Sequence, residues 1–142
     1  MTILLGNDYL GWIETATPGA YVALLGQGTL NESRSQSEID TGDKTTGKYN
    51  TGAFGNIALK QSLDLKINLP DAGYARLEAK VNAGQSFMWE VRKGGLAGVE
   101  GDAIFKALVF GSITSRVFNK DGTVDAKIDL KIAAAPTVDA IA

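Results

Sequence analysis

The sequence predicts a mainly β fold, an antiparallel β-sandwich or open barrel with one flanking α-helix. Three observations point there. Apolar and polar residues alternate over unusually long stretches, only one segment has helical spacing, and Gly, Pro, Asn and Asp punctuate the alternating runs.

Asp8–Thr15 and Tyr21–Leu25 read as short strands joined by Thr17-Pro18-Gly19, a turn sequence. Thr29–Ser37 alternates more weakly. Ser35–Gly55 is rich in Gly, Ser, Thr, Asn, Asp and Lys, with few apolar anchors. It reads as a long loop centred on residues 38–56, and loops beyond about 12 to 15 residues tend to carry function. In Ile57–Leu69, the residues Ile57, Leu59, Leu63, Leu65, Ile67 and Leu69 alternate with Ala58, Lys60, Ser62, Asp64, Lys66 and Asn68, and only Gln61 interrupts the apolar set. Such a half-buried strand extends about 40 Å.

The helix is expected over Ala72–Asn82. Tyr74, Leu77 and Val81 share one face, Asp71 can cap the start and Gly84 can close the end. Ser86–Lys93 places Phe87, Trp89 and Val91 on one face and Glu90 and Arg92 on the other. Phe87 and Trp89 are therefore expected in the core with Leu63 and Leu65. Asp102–Phe118 is more continuously apolar, and Gly111 suggests a bulge or bend. Asn119-Lys120-Asp121-Gly122 reads as a hairpin turn with Gly122 supplying positive φ. Thr123–Ile132 is again alternating, and Ala133–Ala142 is a small apolar tail. The whole, residues 1–142, is read as one domain.

Composition removes several function classes. The chain has 142 residues, 44% hydrophobic and 21% charged, with no His and no Cys. That excludes disulfides, thiol nucleophiles, thiolate metal sites and every Ser-His-Asp arrangement. A net charge of -2 argues against a basic nucleic-acid-binding surface. No apolar run approaches the roughly 18 residues of a membrane span, and Met1–Gly6 lacks the positive start of a signal peptide.

Little catalytic chemistry is visible, and no cofactor or metal is called for. Glu38, Asp40 and Asp43 form a small acidic cluster, but Asp40-Thr41-Gly42-Asp43 is an ordinary turn composition without EF-hand spacing. Gly94-Gly95-Leu96-Ala97-Gly98 lacks the Lys of a phosphate loop and reads as a hairpin tip. Trp12 and Tyr21 leave open a carbohydrate-binding sandwich, since aromatic rings stack on sugars; Trp12 is unassigned between core and surface. A long loop feeding a long strand suits a protein whose loop packs on a neighbouring subunit, and a head-to-tail interface closes into a ring when the rotation allows.

The order of these segments resembles a known family. Val22-Ala23-Leu24-Leu25-Gly26, the strand running into Glu38-Ile39-Asp40-Thr41, the Gly/Lys/Thr-rich loop, the long strand, the Asp-capped helix and the late strand pair are similar to the major tail tube proteins of long-tailed bacteriophages and of gene transfer agents. Glu-Ile-Asp-Thr is the most specific piece. The resemblance implies a structural, non-enzymatic subunit in six-fold rings that stack into a hollow tail tube, whose inner barrel is joined from the strands of all subunits and passes genomic DNA. It implies assembly in the bacterial cytoplasm, residence in the virion tail, and partnership with itself and with tape measure, tail terminator and tail-tip proteins. DNA contact would be transient, with no membrane insertion. It also assigns roles: Glu38, Asp40, Lys44, Lys48, Tyr49 and Phe54 to inter-subunit contacts, and Lys60, Asp64 and Lys66 to the lumen. Mixed charge there suits passage of DNA, because each lysine–phosphate contact adds salt-sensitive affinity. The inner-tube ring of a contractile tail or of a type VI secretion system is the alternative within the same fold.

Overall fold

A computed structural model of the chain describes residues 4–42, 45, 47, 52–67 and 70–140. Along the chain run β1 (Tyr9–Glu14), β2 (Tyr21–Ala23), β3 (Gln27–Asp40), β4 (Gly52–Lys66), α1 (Ala72–Asn82), β5 (Phe87–Lys93), β6 (Ala103–Phe118), β7 (Val124–Ile132) and β8 (Val138–Asp139). The strand pairs are antiparallel. They form one sheet in the order β2-β1-β5-β6-β7-β4-β3, with β8 beside the start of β6.

That sheet curls until its two halves face each other. The Trp89 indole on β5 donates to Gln61 Oε1 on β4 at 3.0 Å, although β6 and β7 lie between those strands in the sheet. Gln27, at the start of β3, exchanges two 2.9 Å hydrogen bonds with the backbone of Gly11 on β1. One half is β2-β1-β5 with the first part of β6. The other is the rest of β6 with β7-β4-β3. The expected sandwich is thus a single open sheet folded over its own core.

Leu63, Leu65, Phe87 and Trp89 are buried between the halves, with Ile13, Leu24, Ile128 and Leu130. Each large apolar side chain so buried contributes about 1.5 to 3 kcal/mol. Trp89 fits because β1 has Gly11 beneath it; a Cβ there would stand 2.2 Å from the indole Cζ2. Tyr74 and Leu77 of α1 are buried, and Val81 packs at the margin of the same core. The start of the helix is fixed by Asp71, whose Oδ1 accepts from Gly73 N at 3.0 Å and whose Oδ2 accepts from Leu25 N at 3.1 Å. It ends in a Schellman turn, with Gly84 at φ 67° and Gln85 N donating to Lys80 O at 3.0 Å.

Four expectations change. First, β3 runs on to Asp40 and β4 begins at Gly52, so most of the stretch read as a loop is a paired hairpin arm. Cross-strand pairing, not apolar content, carries it. Second, Glu90 and Arg92 are not a solvent face: Glu90 is wholly buried and Arg92 nearly so. Third, Gly111 sits in register opposite Leu130, and the irregularity in β6 falls between Ile113 and Ser115. Gly111 serves a close approach instead, since a Cβ there would lie 2.9 Å from Val81 of the helix. Fourth, the positive φ in the β6–β7 turn belongs to Asp121 (58°). Leu69, expected in the long strand, lies outside the described residues.

Candidate assembly surfaces

Residues directly opposite in an antiparallel pair point to the same face. The register of β6, β7 and β4 therefore builds four rows on the side turned away from the core. Lys60 stands opposite Lys131, and that opposite Phe110. Ser62, Asp129 and Ser112 form the next row, then Asp64, Lys127 and Ser115, then Lys66, Asp125 and Val117. Lys60, Asp64 and Lys66 thus share one face, and the polar side of β7 joins them. Alternation in the sequence could not assign that side of β7, because only the pairing register decides which face it shares.

Asp129 organises the centre of this face. Its Oδ1 accepts from Ser62 Oγ at 2.8 Å, and Lys60 Nζ reaches its Oδ2 at 3.1 Å. The Ser62 hydrogen bond, helped by Lys60 and opposed by partial burial, holds the Asp129 carboxyl below the usual carboxylate range. The bridge also turns Lys60 toward Asp129, which relieves the Lys60–Lys131 juxtaposition. With Lys60, Lys66, Lys127 and Lys131 set among Asp64, Asp125 and Asp129, the face is of mixed sign.

The half-sheet has an unused edge on each side. Among the described residues, β3 pairs only with β4. β5 covers β6 no further than Val109, so among the described residues the Gly111–Phe118 part of β6 has a strand partner only in β7. Unpaired edges of this length are templates for another chain.

The last β4–β7 pairing is Lys60 with Lys131, so residues 52–59 and their partners in β3 project as a two-stranded arm. Glu38 faces Phe54 across it, and Gln36 faces Ile57. Phe54 is 69% exposed and Ile57 47%. Asp40 Oδ1 caps Gly42 N at 2.8 Å. Of the residues expected to make inter-subunit contacts, Glu38, Asp40 and Phe54 are brought together here, while Lys44, Lys48 and Tyr49 lie outside the described residues. The alternation did not mark Ile57 as exposed. Its parity is that of the core, and only the end of β7 leaves it uncovered.

On the outer side of the other half-sheet, Glu90 accepts from Arg92 Nε at 2.6 Å, and Lys106 Nζ stands 3.3 Å from its second oxygen. The Arg92 guanidinium lies 4.6 Å from the Trp12 ring centroid and 5.2 Å from that of Tyr21. Burial pushes the Tyr21 phenol up, partly offset by Lys106. Trp12 and Tyr21 are covered by this cation instead of forming an open strip for sugars. Among the described residues, no group of three or more His, Cys, Asp or Glu is placed to hold a metal ion, and no helix is long and apolar enough to cross a membrane.

No protein-family model matches the sequence, and no curated protein does. Solved structures do match. A chain from the tail of an empty gene transfer agent particle, refined with C6 symmetry, superposes with a TM-score of 0.78 at 13% identity, covering 97% of this chain and 100% of that one. A chain from the virion of a native gene transfer agent particle gives 0.72 at 15% identity, covering 97% and 100%. The SPP1 tail tube gives 0.69 at 16% identity, covering 98% of this chain and 81% of the other. The protein shares the fold of these three chains over nearly its whole length.

Proposed function

We propose that this protein is the structural subunit of a tail tube: copies join in six-fold rings, the rings stack, and DNA passes along the bore. The charged face flanked by two unused strand edges carries the reading. Pairing β3 of one copy with the Gly111–Phe118 edge of the next is a head-to-tail contact, which closes into a ring when the rotation allows. Four strands from each of six copies would then make a continuous inner wall without edges. Its lining would be the rows of Lys60, Asp64 and Lys66 with Lys127, Asp129 and Lys131. In such a wall Lys60 is bridged to Asp129, and Lys66 and Lys127 stand opposite Asp125 and Asp64, so carboxylates interrupt the positive charge that phosphates would meet.

The likeness in fold to assembled tails supports the same reading, as does the paucity of catalytic side chains in the sequence. Assembly in the host cytoplasm, and contacts with tape measure, terminator and tail-tip proteins, follow from the reading. Purified protein is expected to give hollow tubes or stacked rings in negative-stain electron microscopy, with light scattering far above a 15.0 kDa monomer. A species that stays monomeric on concentration and with tail-tip proteins added would sink the proposal.

A further inference from the structure

We infer that the C-terminal strand β8 is a strap that sets the direction in which the β3–β4 arm leaves the sheet, with Asp139 the positioning residue through which it acts. The inference rests on the tube reading, since it names what holds the free edge of β3 in shape for ring closure. The folded sheet leaves a mouth between its two halves. A cavity of about 660 Å3 opens there, walled by Tyr9, Val91 and Phe105 on one side and by Leu30, Glu32 and Gln61 on the other. At the start of β3 the mouth is tied by the hydrogen bonds between Gln27 and Gly11. Further along β3 it is tied by β8.

Backbone pairing lays the strap down. Beyond Ile132, Ala133 N donates to Leu108 O at 2.7 Å, Thr137 N to Lys106 O at 2.8 Å and Ala140 N to Ile104 O at 2.9 Å. The chain thus follows β6 past the end of β7. Asp139 stands opposite Phe105, a core residue, so its side chain points into the mouth. Its Oδ1 accepts from Arg34 Nη2 across the mouth at 2.5 Å. Arg34 stands opposite Leu59, also buried, so it reaches over from the core side of β3 and leaves the charged face untouched.

Arg34 is also where the support of β3 changes. Leu59 is the first residue of β4 outside the last β7 pairing, Lys60 with Lys131. From there to Asp40 the arm is a two-stranded ribbon, which is marginal alone in water. The ion pair therefore grips the arm at its root. From Arg34 a polar chain runs inward. Glu32 Oε2 stands 3.5 Å from the guanidinium, Gln61 Nε2 donates to Glu32 Oε1 at 3.3 Å, and Gln61 Oε1 takes the Trp89 indole N–H at 3.0 Å. The root is thus linked to the centre of the core. An ion pair this accessible, with side chains 38% and 35% exposed, adds little to overall stability. What it removes is freedom: a ribbon already held at its root needs less ordering when a neighbour pairs with it.

Hydrogen exchange on unassembled protein reads the strap directly. Asp139→Asn and Arg34→Gln should each speed exchange of the arm amides, residues 34–40 and 52–59, by about tenfold, with the amides of β5 and β7 unchanged. Tube growth, followed by light scattering, should slow in both variants. Exchanging the charges, Arg34→Asp together with Asp139→Arg, should restore both readings. Arm amides at the wild-type rate in both single variants would overturn the strap whether or not tubes form, and so would acceleration spread equally over β5 and β7. Faster arm exchange with wild-type growth would overturn its part in assembly. Wild-type protein that forms no tubes would overturn the tube reading and leave the exchange rates to judge the strap alone.

Discussion

At the scale of single residues, the polar atoms that face the core do more than the alternating pattern suggested. Gln61 breaks an otherwise apolar register, yet it is buried and accepts the Trp89 indole N–H. Gln61→Leu removes that acceptor and strands a buried donor, an expected loss of about 1 to 3 kcal/mol in chemical denaturation. Leu63→Ala, at a fully buried position, should cost about 2 to 5 kcal/mol by the same assay. Asp129 supplies a pH signature. Its folded pKa is depressed, so its contribution is complete above the ordinary carboxylate range and fades as pH falls through the lower folded value. Asp129→Asn should flatten the acid limb of the stability profile below about pH 4. A wild-type and variant limb of equal steepness would show that the Ser62–Lys60 clasp contributes nothing. The core residues were legible because their period of two was long. The burial of Glu90 was not, because strand parity cannot reveal that Arg92, held by Glu90, lies across the rings of Trp12 and Tyr21.

At the scale of elements, α1 was read with its limits and both caps, since capping chemistry is local: Asp71, Gly84 and the Tyr74–Leu77–Val81 stripe are all sequence neighbours. What Asp71 does at long range was hidden, because its second oxygen accepts from Leu25 N, far away in the chain. Asp71→Ala therefore removes a cap and a tether together. We expect a loss of about 1 to 2 kcal/mol, read in thermal melts. The β3–β4 arm reads as a loop in the sequence for the opposite reason. Its strands carry few apolar residues, and partner pairing holds them in place of a core. Replacing residues 41–51 with Asn-Gly suits a two-residue hairpin between Asp40 and Gly52. The monomer should stay folded by circular dichroism, and any loss of tubes would locate stacking contacts in the replaced turn. Gly111→Val should displace α1 and abolish cooperative unfolding, because Val81 already approaches the site.

At the scale of the whole molecule, one open sheet folds over its core and leaves a charged face, two unused edges and an arm. The sequence disclosed the long alternating strands, but not that β4 and β7 combine their polar sides, since that is a property of register between distant segments. It also could not show that β6 serves both halves of the fold, because one continuous apolar run reads as a single strand. The most direct measurement is a cryo-electron microscopy reconstruction of tubes grown from the purified protein. The account predicts an inner wall of β3, β4, β7 and the second half of β6, with Lys60, Asp64, Lys66 and Asp129 turned toward the axis. A tube whose bore is lined by the Trp12–Tyr21–Arg92 face, with the charged rows on the exterior, would contradict it.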